Sequence, residues 1–453
     1  MKVFQWIVIL GSIAILGCST AKSKKEQAEL SRLGLKINLI HKKFDNGMNV
    51  LMVEDHTVPV ISYQTWVKAG SADETFGTTG VAHLFEHLMF KGSDKYGARA
   101  FFNELEAKGA SVNAYTTRDY TVYHETFIPS LLTKVIDLES DRLASLKINQ
   151  EALFTERQVV FEERRLRTEN SPDGRMQEAL WGLAYKAHPY RWPVIGYSED
   201  LSRLTVEDLQ AFFDRFYQPG NVTLVIVGDF DAKETWDLLD VAYGWMPGKK
   251  FTKTPLSPEP EQKEERRLKL RDQVASTQVA IAYPVTSAHD EDTYALDVLA
   301  NILFQGASSR AYQRIVEEKD IALGVSGVAY TPMYPGLFMI NAVMKRPHTD
   351  KELERELELL YREVQSNGVT DEEIETAVRQ LTVQTVDSVR TSHGLGTLLG
   401  TVMMIFNDPY RYQSDLSKYQ RVKKEDVKRV AAKYLLPTKK NVVTLMPGSR
   451  AGD

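Results

Sequence analysis

The spacing of apolar positions changes several times along the first half of the chain, and each change marks an element. In "INLIHKKFDNGMNVLMVED" (37–55), Asp45-Asn46-Gly47 reads as a hairpin turn between two strands. "VISYQTWVKAG" (60–70) is another β-rich run. Residues 79–91 then take a helical period, and "RAFFNELEAKG" (99–109) reads as a second helix stopped by Gly109. "SVNAYTTRDYTVYHETF" (111–127), rich in Thr, Tyr and Val, reads as two strands. "LLTKVIDLESDRLASL" (131–146) and "TERQVVFEERRLRTEN" (155–170) read as long amphipathic helices.

The pattern then repeats. "LTVEDLQAFFDRFYQPGNVTLVIVG" (204–228) and "VKKEDVKRVAAKYLLPTKKNVVTLMPG" (422–448) both run helix, Tyr, Pro, Asn and a Val-rich strand. Glu207 matches Glu425 and Pro219 matches Pro437, at one offset. This is the signature of an internal duplication. Between the copies, residues 247–266, "PGKKFTKTPLSPEPEQKEER", are dense in proline and charge and read as a solvated linker. The expected organisation is a leader and tether over 1–35, a first domain over 36–246, the linker, and a homologous second domain over 267–453.

Composition narrows the setting. With 453 residues, the chain has room for two cored domains. A formal net charge of −5 offers no basic patch, so no nucleic-acid partner is expected. The leader is more informative. Met1-Lys2 precedes "VFQWIVILGSIAILG", an export pattern too short for a confident membrane span. "ILGC" (15–18) resembles a bacterial lipobox, although Leu16 departs from the small residue usual at its place. Cys18 is the single cysteine, so no internal disulfide forms, and the polar stretch after it suits a tether. By the same resemblance, Ser19 directs the lipidated chain to the periplasmic face of a Gram-negative outer membrane. The alternatives are a free periplasmic protein or a simple signal anchor. Contact with the membrane is expected only through the lipid.

The chemistry lies in "GVAHLFEHLMF" (80–90). On a helix, His83 and His87 are one turn apart on one face, with Glu86 at its edge. Two imidazoles can share a Zn2+, and the carboxylate reaches a metal-bound water without being a ligand. This His-x-x-Glu-His order reverses His-Glu-x-x-His but keeps its logic. A third ligand is then needed. Glu156 and Glu163 share a helix face, Glu162 lies beside them, and helix geometry alone does not choose.

The motif, with Glu163 placed 76 residues after His87, resembles the inverzincin metallopeptidases, which include pitrilysin, insulin-degrading enzyme and the mitochondrial processing peptidase. "SADETFGTTGVAHLFEHLMFKGS", "GASVNAYTTRDYTVYHE", "ERQVVFEERR" and "HPYRWPVIGY" resemble family blocks in the family's order. The resemblance implies one Zn2+ per chain, held by His83, His87 and Glu163, with Glu86 as general base. It also implies that Glu156 orients a histidine, and that Asn113 and Ala114 lie on a strand edge that binds peptide by strand addition. His188 reads as structural. With the duplication, it implies an α+β fold of two homologous α/β-sandwich domains, each an antiparallel-rich sheet covered by helices.

One block departs from the family. There the second domain supplies an arginine and, seven residues later, a tyrosine that hold the substrate carbonyl. In "LFQGASSRAYQRIVEEKDIALGVSG" (303–327) those places fall on Val316 and Leu323, which cannot donate to an oxyanion. Arg310, Tyr312 and Arg314 lie nearby, and a shift of register would bring one of them there. The expectation is a zinc endopeptidase subunit that cleaves peptides with a companion two-domain chain carrying the Arg/Tyr pair. A homodimer is a variant of this reading. A catalytically silent scaffold or peptide-binding relative is the alternative.

Overall fold

The computed structural model describes residues 37–248 and 253–448. The leader, Cys18 and the tether lie outside the described residues, as do linker positions 249–252.

The first sheet is built from β1 (Ile40–Lys43), β2 (Asn49–Glu54), β3 (Ile61–Val67), β4 (Ser111–Thr116), β5 (Thr121–Phe127) and β6 (Val222–Gly228), in the order β1-β2-β6-β3-β5-β4. The hairpin at Asp45–Gly47 is present: Lys43 pairs with Asn49, and Gly47 takes a left-handed φ of 97°. β6, "VTLVIVG", is buried throughout, which fits a central strand covered on both faces. β4 is the free edge next to the site.

The helices of this half are α1 (Val81–Leu88), α2 (Ala100–Glu104), α3 (Leu132–Ser145), α4 (Gln150–Arg164), α5 (Pro172–Ala184), α6 (Ser198–Arg203), α7 (Val206–Phe216) and α8 (Ala232–Tyr243). The expected helix at 79–91 is shorter because Gly80, at φ 87°, begins it and a turn follows Leu88. The helix expected over 99–109 breaks at Leu105, and a 3-10 turn leads to Gly109 in the left-handed region. α4 starts earlier than expected, because the Asn149 side chain accepts from the Ala152 N–H and caps it.

The second half repeats the plan. Its sheet has β7 (Arg266–Asp272), β8 (Gln278–Pro284), β9 (Ala322–Tyr330), β10 (Leu337–Met344) and β11 (Asn441–Pro447), in the order β7-β11-β8-β10-β9. Its helices are α9 (Asp292–Phe304), α10 (Asp350–Asn367), α11 (Asp371–Ser388), α12 (Ser392–Phe406), α13 (Tyr412–Tyr419) and α14 (Lys424–Tyr434). The β2-β6-β3-β5-β4 run and the β7-β11-β8-β10-β9 run agree strand for strand. Each begins with a parallel pair and continues antiparallel. The repeated stretches both fold as helix, 3-10 turn and central strand. The chain is therefore a duplicated α/β sandwich.

The two halves exchange helices. The inner face of the first sheet packs on α1, α3 and α7, while its outer face takes Leu399, Met403 and Met404 of α12 from the second half. In return, Met176, Leu180 and Trp181 of α5 cover Ala280, Ala282, Val443 and Leu445 on the second sheet. At Gly400, a Cβ would lie 2.0 Å from Cε2 of Trp66, so α12 meets the sheet at backbone distance.

The described part of the linker has contacts that its composition did not predict. It is exposed for much of its described length but pinned to both halves. Glu259 accepts from the backbone N–H groups of Lys186, Ala187 and His188, Lys253 pairs with Asp73, and Gln262 is buried against Lys440.

Candidate active site

α1 is placed by its own block. The Glu74 carboxylate accepts from the N–H groups of Gly80 and Ala82, both at 2.9 Å, and so caps a helix whose N-cap residue, Gly80, has no side chain to do so. Gly80 also touches Gly196: a Cβ at Gly196 would lie 2.5 Å from the Gly80 Cα. This contact brings the "VIGY" stretch against the start of α1. The apolar face of α1 (Val81, Leu84, Phe85, Leu88) is buried on the first core, which turns His83, Glu86 and His87 toward α4 and β4.

There the expected residues converge. Nε2 of His83 lies 3.6 Å and Nε2 of His87 3.4 Å from the same oxygen, Oε2 of Glu163. One donor atom from each of the three residues falls within 4.8 Å of the others, and this is the sole such cluster among the described residues. Tetrahedral zinc with bonds of about 2.1 Å sets its ligand atoms about 3.4 Å apart. The donor chemistry and both His–Glu spacings fit that ion.

Glu156, two turns earlier on α4, lies on the far side of the His87 ring. Its Oε2 is 3.4 Å from Nδ1, and Lys91 holds its other oxygen at 2.6 Å. Nε2 of His87 is thereby left facing Glu163. The neighbouring Glu162 instead forms a surface pair with Arg165. Glu86 accepts a 2.6 Å hydrogen bond from the Thr116 hydroxyl on β4.

The electrostatics follow from burial and these contacts. Burial pushes His83 down to about 4, so its ring is neutral, as a ligand must be. Burial also works against a charged His87, but the bonds to Glu156 and Glu163 outweigh it and raise the ring to about 9. The carboxylates that raise it make the site negative, which also favours a dication, and binding of that ion would displace the proton from the ring. The bond from His87 keeps Glu163 below the usual carboxylate range, against burial. Burial lifts Glu86 above that range, which suits a group that must take up and release a proton.

His83, Glu86, His87 and Glu163 line an open cleft of about 900 Å³, with Glu162 at its wall. Asn113 and Ala114 lie on its β4 wall, and the Oδ1 of Asn113 accepts from the Ala114 N–H at 2.9 Å. Tyr115 and Thr116 of β4, Val159 of α4, Val194 and Ile195 of the "VIGY" block, and Leu166, Arg167 and Thr168 of the turn after α4 also line it. His188 stands apart: it is buried, its Nδ1 accepts from the Tyr190 N–H, and it packs on Tyr334.

Three contributors were missed from sequence. Thr116 shares a strand face with Ala114, a period-two signal. Lys91 and Arg167 lie one helical turn beyond His87 and Glu163, where side chains meet. In the second half, Val316 packs partly buried against its own core and Leu323 is exposed on β9. Arg310 and Arg314 are both engaged within that half, with Glu373 and Glu363.

The sequence profile described as "Insulinase (Peptidase family M16)" matches residues 49–197, and that of the "Peptidase M16 inactive domain" matches 203–381. The zinc protease PqqE of Helicobacter pylori is 30% identical over 413 residues, 89% of this chain and 91% of that protein. The chain belongs to peptidase family M16. A crystal structure of a protease from Helicobacter pylori superposes with a TM-score of 0.86 at 27% identity, covering 91% of this chain and all of that one. A protein of Arabidopsis thaliana named "Probable mitochondrial-processing peptidase subunit beta" is 24% identical over 86% of this chain and 75% of its own length. This M16 chain thus has relatives named as zinc proteases and as a subunit of a processing peptidase.

Proposed function

We propose that the chain is the zinc-bearing subunit of an M16 endopeptidase acting on peptides or unfolded segments. The observation that carries this reading is the convergence of His83, His87 and Glu163 on one point beside Glu86, at the foot of a free strand edge. One Zn2+ would be held by these three side chains, with Glu156 fixing the His87 ring. When bound, it supplies a Lewis acid and a water of lowered pKa. The protein's own groups do the rest. Backbone groups of β4 at Asn113 and Ala114 pair with an extended peptide, and the Asn113 side chain yields the Ala114 N–H to a substrate carbonyl. Thr116 holds one oxygen of Glu86 and leaves the other to take the proton of the attacking water. Glu86 then passes that proton to the departing amine, so the cleaved amide gains hydroxyl at carbon and hydrogen at nitrogen.

The need for a companion chain is supported by what lines the cleft. Among the described residues, all that line it fall between His83 and Ile195, none from the second half. Val316 and Leu323 donate nothing, and the nearby arginines are already paired. A companion bearing the Arg/Tyr pair would supply the clamp on the substrate carbonyl. We take 36–246 as the zinc-bearing domain, 247–266 as the linker, 267–453 as the homologous inactive domain, and 1–35 as leader and tether. Lipidation of Cys18 would hold the protein on the periplasmic face of the outer membrane. No helix among the described residues is long and apolar enough to cross a membrane.

The test is cleavage of a quenched fluorescent peptide library by the exported chain, alone and with the companion, with Glu86→Gln as blank. Chelator-sensitive cleavage only in the mixture is expected. Full activity of the single chain would refute the shared clamp. Bound zinc without turnover in any mixture would point to a silent scaffold.

A further inference from the structure

The run "EERRLRTE" (162–169) carries three arginines with three different fates. Arg164 is buried and bonds to Glu178, Ser198 and the Gly196 carbonyl. Arg165 lies on the surface with both of its bonds on Glu162. Arg167 faces the cleft. α4 opens after Arg164 into a π-helical turn, Arg165–Glu169, and Leu166, Arg167 and Thr168 of that turn all line the cleft. Such turns recur where a helix has been reshaped for function.

The Arg167 side chain is 76% exposed and spends one N–H on Oε1 of Glu163 at 2.6 Å, the oxygen turned away from the histidines. A guanidinium has five N–H donors in a planar fork, so most of its capacity is unspent. No other Lys or Arg lines the cleft among the described residues, whereas Glu86, Glu162 and Glu163 all do. Glu162 is already paired with Arg165 and Glu163 faces the proposed Zn2+, so Arg167 is the side chain there with donors left for an incoming carboxylate.

We propose that Arg167 is a specificity-determining residue, selecting peptides that carry a carboxylate close to the bond to be cleaved. This rests on the peptidase reading above. Glu163 anchors one edge of the fork, and the free edge matches a carboxylate bidentately. The ligand group is an Asp or Glu side chain or a C-terminal carboxylate.

The test uses binding, so that turnover is not required. The exported chain carrying Glu86→Gln is loaded with Zn2+ and titrated, by fluorescence anisotropy, into labelled peptides identical except for Glu, Gln or Lys at one central position. A fourth peptide and its C-terminal amide separate the two sources of carboxylate. Arg167 predicts about tenfold tighter binding of a carboxylate-bearing peptide than of its neutral match. Added Arg167→Gln should abolish the difference, and Arg167→Glu should reverse it in favour of the Lys peptide. Neither misfolding nor loss of zinc can produce such a reversal. Equal binding of all peptides, or a preference that survives both substitutions, overturns the assignment of Arg167 and leaves the peptidase reading intact. Failure of every peptide to bind the zinc-loaded chain, both alone and with the companion present, overturns both.

Discussion

Glu156→Gln tests how the site is held together. Glu156 is buried and has two partners, Nδ1 of His87 and the ammonium of Lys91. Burial opposes its charge, yet those two bonds keep the carboxyl below the usual carboxylate range. The substitution preserves shape and removes the charge that fixes the His87 ring. A hydrogen bond to a charged group contributes about 1.5–3 kcal/mol, or roughly 10- to 150-fold in an equilibrium constant. Carboxylates behind metal-bound histidines alter metal affinity by about 10- to 100-fold when removed, an independent figure of the same size. The expected result is a zinc Kd raised within that range, read by competition with a chromophoric chelator at fixed pH and ionic strength. Glu162→Gln is the control: Glu162 pairs with Arg165 on the surface, so less than a twofold change is expected. His87→Ala, which removes a proposed ligand outright, should cost far more than either. An unchanged zinc Kd in Glu156→Gln would refute the reasoning and leave Glu156 as a partner of Lys91 alone.

Three further outcomes follow from the geometry. Glu86→Gln should retain zinc while reducing peptide cleavage by at least about 10²-fold, measured with metal content and turnover on the same preparation. Gly400→Val should cost about 1–3 kcal/mol or more in denaturant unfolding, because its Cβ would collide with Trp66, whereas Gly324→Ala, with nothing within 4 Å, should be nearly silent. Acid should weaken the second half through Glu354. Burial opposes its charge, but bonds from Arg267 and Lys440 depress it to about 2 from an ordinary 4.5. A depressed carboxyl stabilises fully above its unfolded pKa, so this contribution is lost as pH falls from about 4.5 toward 2, and Glu354→Gln should flatten that part of the stability curve.

What could be read from sequence was what is written locally. The His83–His87 spacing and the Asp45–Gly47 turn each span a few residues, and the repeated helix–Pro–strand unit is continuous in each copy and shows itself by comparison of the two. The choice among Glu156, Glu162 and Glu163 was not local. The first and last share a face of α4, and only the seating of α4 across α1 puts Glu163 before the Nε2 atoms and Glu156 behind the ring. The cap on α1 was hidden for a similar reason: Glu74 reaches forward over a loop to serve Gly80 and Ala82. The exchange of α5 and α12 was least legible. Met176 and Leu180, or Leu399 and Met403, look like any core stripe, and nothing in their spacing says that the sheet they cover belongs to the other half. The anchoring of the linker was not legible, because proline and charge signal solvent while Glu259, Lys253 and Gln262 find partners far away in sequence.

That exchange bears on how substrate reaches the cleft. Parting α12 from the first sheet would expose Trp66, Leu399, Met403 and Met404, at about 1.5–3 kcal/mol for each side chain. Parting α5 from the second sheet would expose Leu180 and Trp181 at a similar cost. The summed cost is well above the few kcal/mol that separate conformers exchanging during function. The two sheets of this chain therefore move as one body, and the cleft beside β4 stays open on the side its own second half does not reach. On the two-chain reading proposed above, the companion would close over a bound peptide. The same surface would then both admit substrate and be completed by the companion, so the approach of the second chain, rather than a hinge within this one, would gate the reaction.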